Sequence, residues 1–201
     1  MLRLIKNKIL NYFFIRFEIY NKDKSYKEKQ SLFSDFKIVG RNISIGKDHR
    51  VINPKYIEIG DNFLALDRFR IETFDNYNGK SFTPKIKIGN NVVFNTDVHI
   101  GCINSIEIGD NCLFASRIYI TDHNHGETSL EMLKIKPSDR PLVSKGPVVI
   151  KNNVFIGTGV AIMPNVTIGE NSIVVTNAVV TKDVPPNAIV AGIPAVIIKQ
   201  F

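Results

Sequence analysis

Two of the chain's four histidines, His123 and His125, stand in the run Thr121-Asp122-His123-Asn124-His125-Gly126. A neutral imidazole accepts a proton near pH 7, so a histidine within hydrogen-bond reach of an alcohol can act as general base on a hydroxyl too weakly acidic to ionise by itself. One reaction that would use such a base is transfer of an acyl group from an activated donor such as a thioester. It needs hydrogen-bond donors for the transient oxyanion and a groove that aligns both reactants, and it needs no metal. Cys102, Cys112 and the four histidines give no four-ligand zinc spacing, and two cysteines make no disulfide scaffold. Cys112 falls on an inward small-residue position of the repeat described next and reads as a buried structural thiol.

What must position these side chains is a repeat. A phrase of two aliphatic residues around one variable residue recurs, commonly followed by Gly and an acidic or amide pair. It reads Ile43-Ser44-Ile45-Gly46, Ile57-Glu58-Ile59-Gly60, Ile86-Lys87-Ile88-Gly89, Ile106-Glu107-Ile108-Gly109, Val148-Val149-Ile150-Lys151 and Val166-Thr167-Ile168-Gly169. In the C-terminal half the period is six: Ile150, Ile156, Ile162, Ile168, Val174 and Val180, with Val154, Val160, Val166, Ser172, Ala178 and Val184 four positions further on. A period of six fits neither an α-helix nor a hairpin strand. It fits a short strand and a corner, three of which close a triangular coil whose strands pair in parallel with the coil above. Aliphatic residues fill the prism, and Gly, Asn and Asp serve the corners.

The phrases start 14, 29, 20, 42 and 18 residues apart. Against a coil of eighteen, this places insertions at 76–85 and 121–147, and long loops on a rigid scaffold are where function gathers. The expected organisation is a basic helical segment at 1–36, the repeat at 37–190 and a tail at 191–201 folding back on the coils.

The hexads resemble those of the left-handed β-helix acyltransferases, and the stretch from Ile86 to Ile197 is similar to the maltose, galactoside and polysaccharide O-acetyltransferases of that superfamily. The resemblance implies an all-β, left-handed parallel β-helix, a homotrimer with grooves between prisms, acetyl-CoA as donor and a saccharide acceptor. The family's histidine lies five residues after an inward aliphatic, and counting from Ile120 makes His125 the expected base, with His123 orienting the acceptor or the other imidazole. Asn95 matches an asparagine facing the acceptor hydroxyl, and Asp97 and His99 border the same coil. Gly157, Thr158, Thr176, Thr181 and Lys182 resemble positions lining the CoA groove, with Lys182 and Lys199 near its phosphates. Ala191-Gly192-Ile193-Pro194-Ala195 is similar to the family's closing Gly-x-Pro-Ala. Phe155 stands where many relatives have tryptophan, a departure that leaves any acceptor stacking there to phenylalanine. Val175-Thr176-Asn177 replaces a common Gly-Ala-Gly.

Composition narrows the alternatives. Hydrophobic residues make up 44% and charged residues 22%, and no apolar run reaches membrane-spanning length, so the expected address is cytoplasmic. The first thirty residues hold eight Lys or Arg against three Asp or Glu, which is +5 of the net +7. This segment reads as a solvated amphipathic helix able to associate weakly with an anionic membrane surface. Nucleic acid is not an expected partner, because the rest of the chain carries an excess of only +2 and no aromatic-basic motif. Alternative acceptors are an amino sugar nucleotide or a xenobiotic. The competing functions are a hydratase resembling the γ-class carbonic anhydrases and a non-catalytic scaffold. The first needs three metal histidines from neighbouring coils, and a separation of two residues does not match it.

Overall fold

Each hexad becomes a strand of two to four residues and a corner, and the coils stack into three flat faces. A computed structural model describes residues 33–201, so the basic helical segment expected at 1–36 lies, up to residue 32, outside the described residues. Phe36–Phe201 is one unit. Its first face holds Ile38–Val39, Ile57–Ile59, Lys85–Ile88, Ser105–Ile108, Val148–Ile150 and Val166–Ile168. The second runs Ser44–Ile45, Leu64–Ala65, Val93–Phe94, Leu113–Phe114, Phe155–Ile156, Ile173–Val174 and Ala188–Ala191. The third runs Arg50–Ile52, Arg70–Thr73, His99–Cys102, Tyr119–Thr121, Ala161–Ile162 and Val179–Val180. Pairing within each face is parallel. The tail strand Val196–Gln200 closes the second face by pairing antiparallel with Ala188–Ala191.

Parallel stacking makes a residue's burial a function of its place in the hexad. Ile150, Ile156, Ile162, Ile168, Val174 and Val180 are all at most 1% exposed, and Val154, Val160, Val166, Ser172 and Ala178 are equally buried. Phe94 anchors the interior of the N-terminal coils, with ring centroids 5.4 Å from Phe63, 5.4 Å from Phe69 and 4.6 Å from Phe114. Burying such rings removes about 150–250 Å² each from water, so this cluster contributes strongly to the core. Cys112 is buried, its thiol 3.2 Å from the Lys151 carbonyl.

One repeat is displaced from its expected register. Ile43-Ser44-Ile45 belongs to the second face, where Ser44 pairs with Leu64, and the first-face partner of Glu58 is Ile38. The spacing of 14 therefore joined strands of different faces. An aliphatic pair followed by Gly satisfies the corner after either face, so the phrase alone does not say which.

The corner between the first and second faces explains the recurring asparagine. Asn42, Asn62, Asn91, Asn111, Asn153, Asn171 and Asn187 all adopt φ between 55° and 59°, the left-handed region that Asn tolerates better than other side chains. Each side-chain amide bonds the next, from Asn42 to Asn62 at 2.9 Å through Asn171 to Asn187 at 3.0 Å. Asn171→Ala loses two such bonds and keeps the unfavourable φ, so it is expected to destabilise by about 1–2 kcal/mol, and Asn171→Gly by less. Thermal unfolding of the two variants checks the order.

The two insertions leave the corner between the third and first faces. Asn76–Tyr77 and Lys80–Ser81 form a hairpin. The second insertion pairs Asn124–His125 antiparallel with Leu142–Val143 and carries a short helix, Leu130–Leu133, capped by Ser129. The insertions touch: Tyr77 Oη and Asn78 Nδ2 both donate to the Ser138 carbonyl, at 3.3 and 3.4 Å. Among the described residues no helix is long and apolar enough to cross a membrane.

Candidate active site

The third face carries a cleft of about 150 Å³ between the two insertions, lined by Arg70, Glu72, Phe74, Tyr77, His99, Gly101, Tyr119, His123, His125 and Leu142. Its best-defined feature follows from coil stacking. The turn after Cys102 leaves backbone N–H groups with no strand partner, and Asp122, one coil on, accepts them: Asn104 at 2.7 Å and Ile103 at 3.0 Å. The Cys102 thiol donates to the same carboxylate at 3.1 Å. Asp122 is fully buried, and its Oδ1 lies 2.9 Å from His123 Nδ1. A carboxylate oxygen accepts from Nδ1–H, so in the neutral ring the favoured tautomer carries its proton on Nδ1 and its lone pair on Nε2. Among the described residues no hydrogen bond engages Nε2. Thr121 Oγ1 accepts the His123 backbone N–H at 3.2 Å and donates to its carbonyl at 3.1 Å, holding the turn. Gly101 lies beside the ring, where a Cβ would make an ordinary contact of 3.4 Å with His123 Cε1.

His125 differs in every respect. It is exposed at the cleft rim, its ring edge-on to Tyr77 at 5.5 Å. His99 is half-buried, with Nε2 3.2 Å from Glu72 Oε2. Burial first, then the nearby Arg70 charge, hold its pKa below the ordinary 6.5, against the opposing pull of Glu72. Native His99 thus binds fewer protons than the unfolded chain as pH falls below 6.5, and its contribution to stability is full above that pH and lost as pH falls through the lower native value. His99→Gln is expected to narrow the fall in Tm between about pH 7.5 and about pH 5 relative to the parent, and an unchanged difference would refute this assignment.

The other expected site residues divide between the two edges of the third face. Asn95, whose amide donates to the Phe114 carbonyl at 3.2 Å, stacks with Gly157, Thr158 and Thr176 at the corner entering the face. Gly157 is required there, because a Cβ would meet Thr176 N at 2.6 Å. Thr181 and Lys182 lie at the opposite corner, the one that bears His123. Within one chain Asn95 and His123 are therefore not brought together. Lys199 sits on the tail strand at the second face, its ammonium 4.2 Å from the centre of the Phe201 ring. Asp97 is held by Arg68 at 2.6 Å at the corner and does not line the cleft. Phe155 points outward from the second face and does not line this cleft.

Asp122, Arg70, Glu72 and Gly101 were not singled out from the sequence. Asp122 directly precedes His123, which is a signal in principle, but its partners come from the preceding coil.

Known proteins converge on the same description. Residues 147–182 match the bacterial transferase hexapeptide (six repeats) model. Over 153 residues the chain is 37% identical to the Escherichia coli K12 protein WbbJ, named as a lipopolysaccharide biosynthesis O-acetyl transferase, covering 74% of both chains. The chain belongs to the hexapeptide-repeat acyltransferase family. Two solved members of this family share its fold. A maltose O-acetyltransferase from Clostridium difficile 630 is 28% identical with a TM-score of 0.56, covering 89% of this chain and 77% of its own. A galactoside acetyltransferase in complex with coenzyme A is 27% identical with a TM-score of 0.52, covering 87% and 70%. The prism is thus the left-handed β-helix of hexapeptide acyltransferases, wound against the general preference for right-handed crossovers.

Proposed function

We propose that this hexapeptide acyltransferase moves an acetyl group from acetyl-CoA to a hydroxyl of a saccharide, with His123 as general base. The observation that carries the reading is the buried Asp122 carboxylate 2.9 Å from His123 Nδ1 in a ring that lines the cleft, which favours the neutral tautomer with its lone pair on Nε2. His125 was the residue that the family resemblance implied. It lacks an orienting carboxylate, and the geometry favours its neighbour.

In this mechanism the acceptor oxygen attacks the thioester carbonyl as Nε2 takes its proton. The tetrahedral intermediate then collapses, the C–S bond breaks, and the CoA thiolate leaves with that proton from the imidazolium. Asp122 stabilises the transient imidazolium without itself being protonated. Gly157, Thr158, Thr176, Thr181 and Lys182 flank the C-terminal half of the third face and form the proposed donor groove, with Lys182 as the cation for CoA phosphate. Because Asn95 and His123 lie on opposite edges of one prism, the proposal includes a homotrimer, in which one copy's Asn95 edge meets the next copy's His123 edge. The saccharide class is supported by the substrates named for WbbJ and the maltose and galactoside enzymes. A cytoplasmic location suits the two free, buried thiols, which persist in reducing compartments.

Thermal unfolding against acetyl-CoA tests the donor: stabilisation should grow with concentration, reaching about 2.7 kcal/mol at a hundred times Kd. CoA release across a panel of saccharides tests the reaction. A flat Tm together with CoA release no faster than the acceptor-free rate would sink the reading and leave a non-catalytic prism.

A further inference from the structure

We propose that Arg70, seconded by Arg50, forms an anion subsite at the acceptor end of the cleft, so that the saccharide acetylated here carries a carboxylate or a phosphate. This rests on the acetyl-transfer reading of the same cleft and specifies its acceptor.

The outward residues of the third face change character along the prism. Parallel pairing aligns Arg50, Arg70, His99, Tyr119, Ala161 and Val179 in one column, one per coil. Cations occupy the N-terminal coils and apolar side chains the C-terminal ones. The proposed donor positions Gly157, Thr158, Thr176, Thr181 and Lys182 all lie on C-terminal coils, so the arginines stand at the other end of the face, where an acceptor enters.

Charge around Glu72 is out of balance. Its buried carboxylate faces Arg50 Nε at 3.0 Å, Arg70 Nη2 at 2.7 Å and His99 Nε2 at 3.2 Å. One carboxylate compensates one guanidinium, and the second is surplus. Among the described residues Arg70 meets Glu72 through Nη2 and its buried Nε has no hydrogen-bond partner, while the side chain as a whole is 44% exposed and lines the cleft. A guanidinium held at one corner keeps further N–H donors for a planar or tetrahedral oxyanion, the geometry in which arginine binds carboxylate and phosphate best. Arg70 sits one coil beyond His99, and strands on neighbouring coils are about 4.8 Å apart. Since Gly101, beside the His123 ring, is on the His99 coil and all of them line one cleft, an acid group at Arg70 and a hydroxyl at His123 fall within the reach of a single sugar unit.

The test is equilibrium binding of glucuronic acid, glucose 1-phosphate and glucose, followed by ligand-observed NMR on the full chain without acetyl-CoA. At least one anion should bind about tenfold or more tightly than glucose, and the tighter of the two identifies the acid group as carboxylate or phosphate. Arg70→Gln should bring that preference close to one, and Arg70→Lys should restore part of it. Should Arg70→Gln fail to fold, Arg50→Gln should reduce the preference in the same direction. The inference is overturned if glucose binds as tightly as both anions, if neither anion binds, or if the preference survives in folded Arg70→Gln. It is overturned equally if Arg70→Gln raises the KM for acetyl-CoA and leaves the preference intact, which would assign the arginine to the donor. Because binding is read without turnover, loss of this result leaves acetyl transfer standing, and absence of CoA release counts only against acetyl transfer.

Discussion

His123→Ala is expected to lower kcat for acetyl transfer by about 10²- to 10⁴-fold, the range contributed by a positioned general base. His125→Ala should stay within about tenfold of the parent. The contrast follows from what holds each ring. His123 has its Nδ1 against a carboxylate at 2.9 Å and its backbone N–H against Thr121 Oγ1, so both tautomer and orientation are set before the acceptor arrives. His125 is exposed, with only the edge of Tyr77 beside it. The KM for acetyl-CoA should change little in His123→Ala, because the donor positions lie on other coils. Steady-state CoA release with both variants decides the matter, and a His125→Ala variant that is the weaker of the two would return the base to position 125.

Asp122→Asn should be costly twice over. The carboxylate accepts from two backbone N–H groups, a thiol and an imidazole while fully buried. An amide keeps one oxygen and turns an NH₂ group toward donors. Hydrogen bonds to a buried charge are worth about 1.5–3 kcal/mol each, so a loss of about 3–5 kcal/mol in stability is expected. Catalysis should fall as well, because the amide no longer enforces the Nδ1–H tautomer. Two readouts separate positioning from stability. At a temperature where the variant is folded, kcat should still be reduced, by about 10²-fold or more. In the double variant with His123→Ala, the second change should add almost nothing to the kinetic loss. Full kcat in folded Asp122→Asn would remove Asp122 from the mechanism.

Much of the fold was legible because a stacked coil turns local position into environment. Ile150, Ile156 and Ile162 recur every six residues, each with the same neighbours above and below, so their burial could be assigned before any contact was known. The same holds for the corner asparagines, whose left-handed φ and amide ladder repeat coil after coil. The exception marks the boundary of that logic. Ile43 carries the repeated phrase, yet its strand lies on the second face, because corners after two different faces accept the same residues.

The candidate site was legible as a place but not as an arrangement. Both histidines could be located on an insertion of the third face by counting hexads. Which imidazole has an orienting carboxylate depended on Asp122, and the place of Asp122 depended on N–H groups of Ile103 and Asn104 from the preceding coil. Arg70 and Glu72, too, meet His99 only across a coil boundary.

The amino-acid sequence by itself determined the three-faced prism, its aliphatic interior and the corner that bears the histidines, because each of these repeats within six residues of chain. Tertiary structure alone decided the pairing of Asp122 with His123, the separation of Asn95 from it and the surplus of cations at Glu72. Those depend on which coils stack, and insertions of unequal length make that stacking invisible to any fixed period.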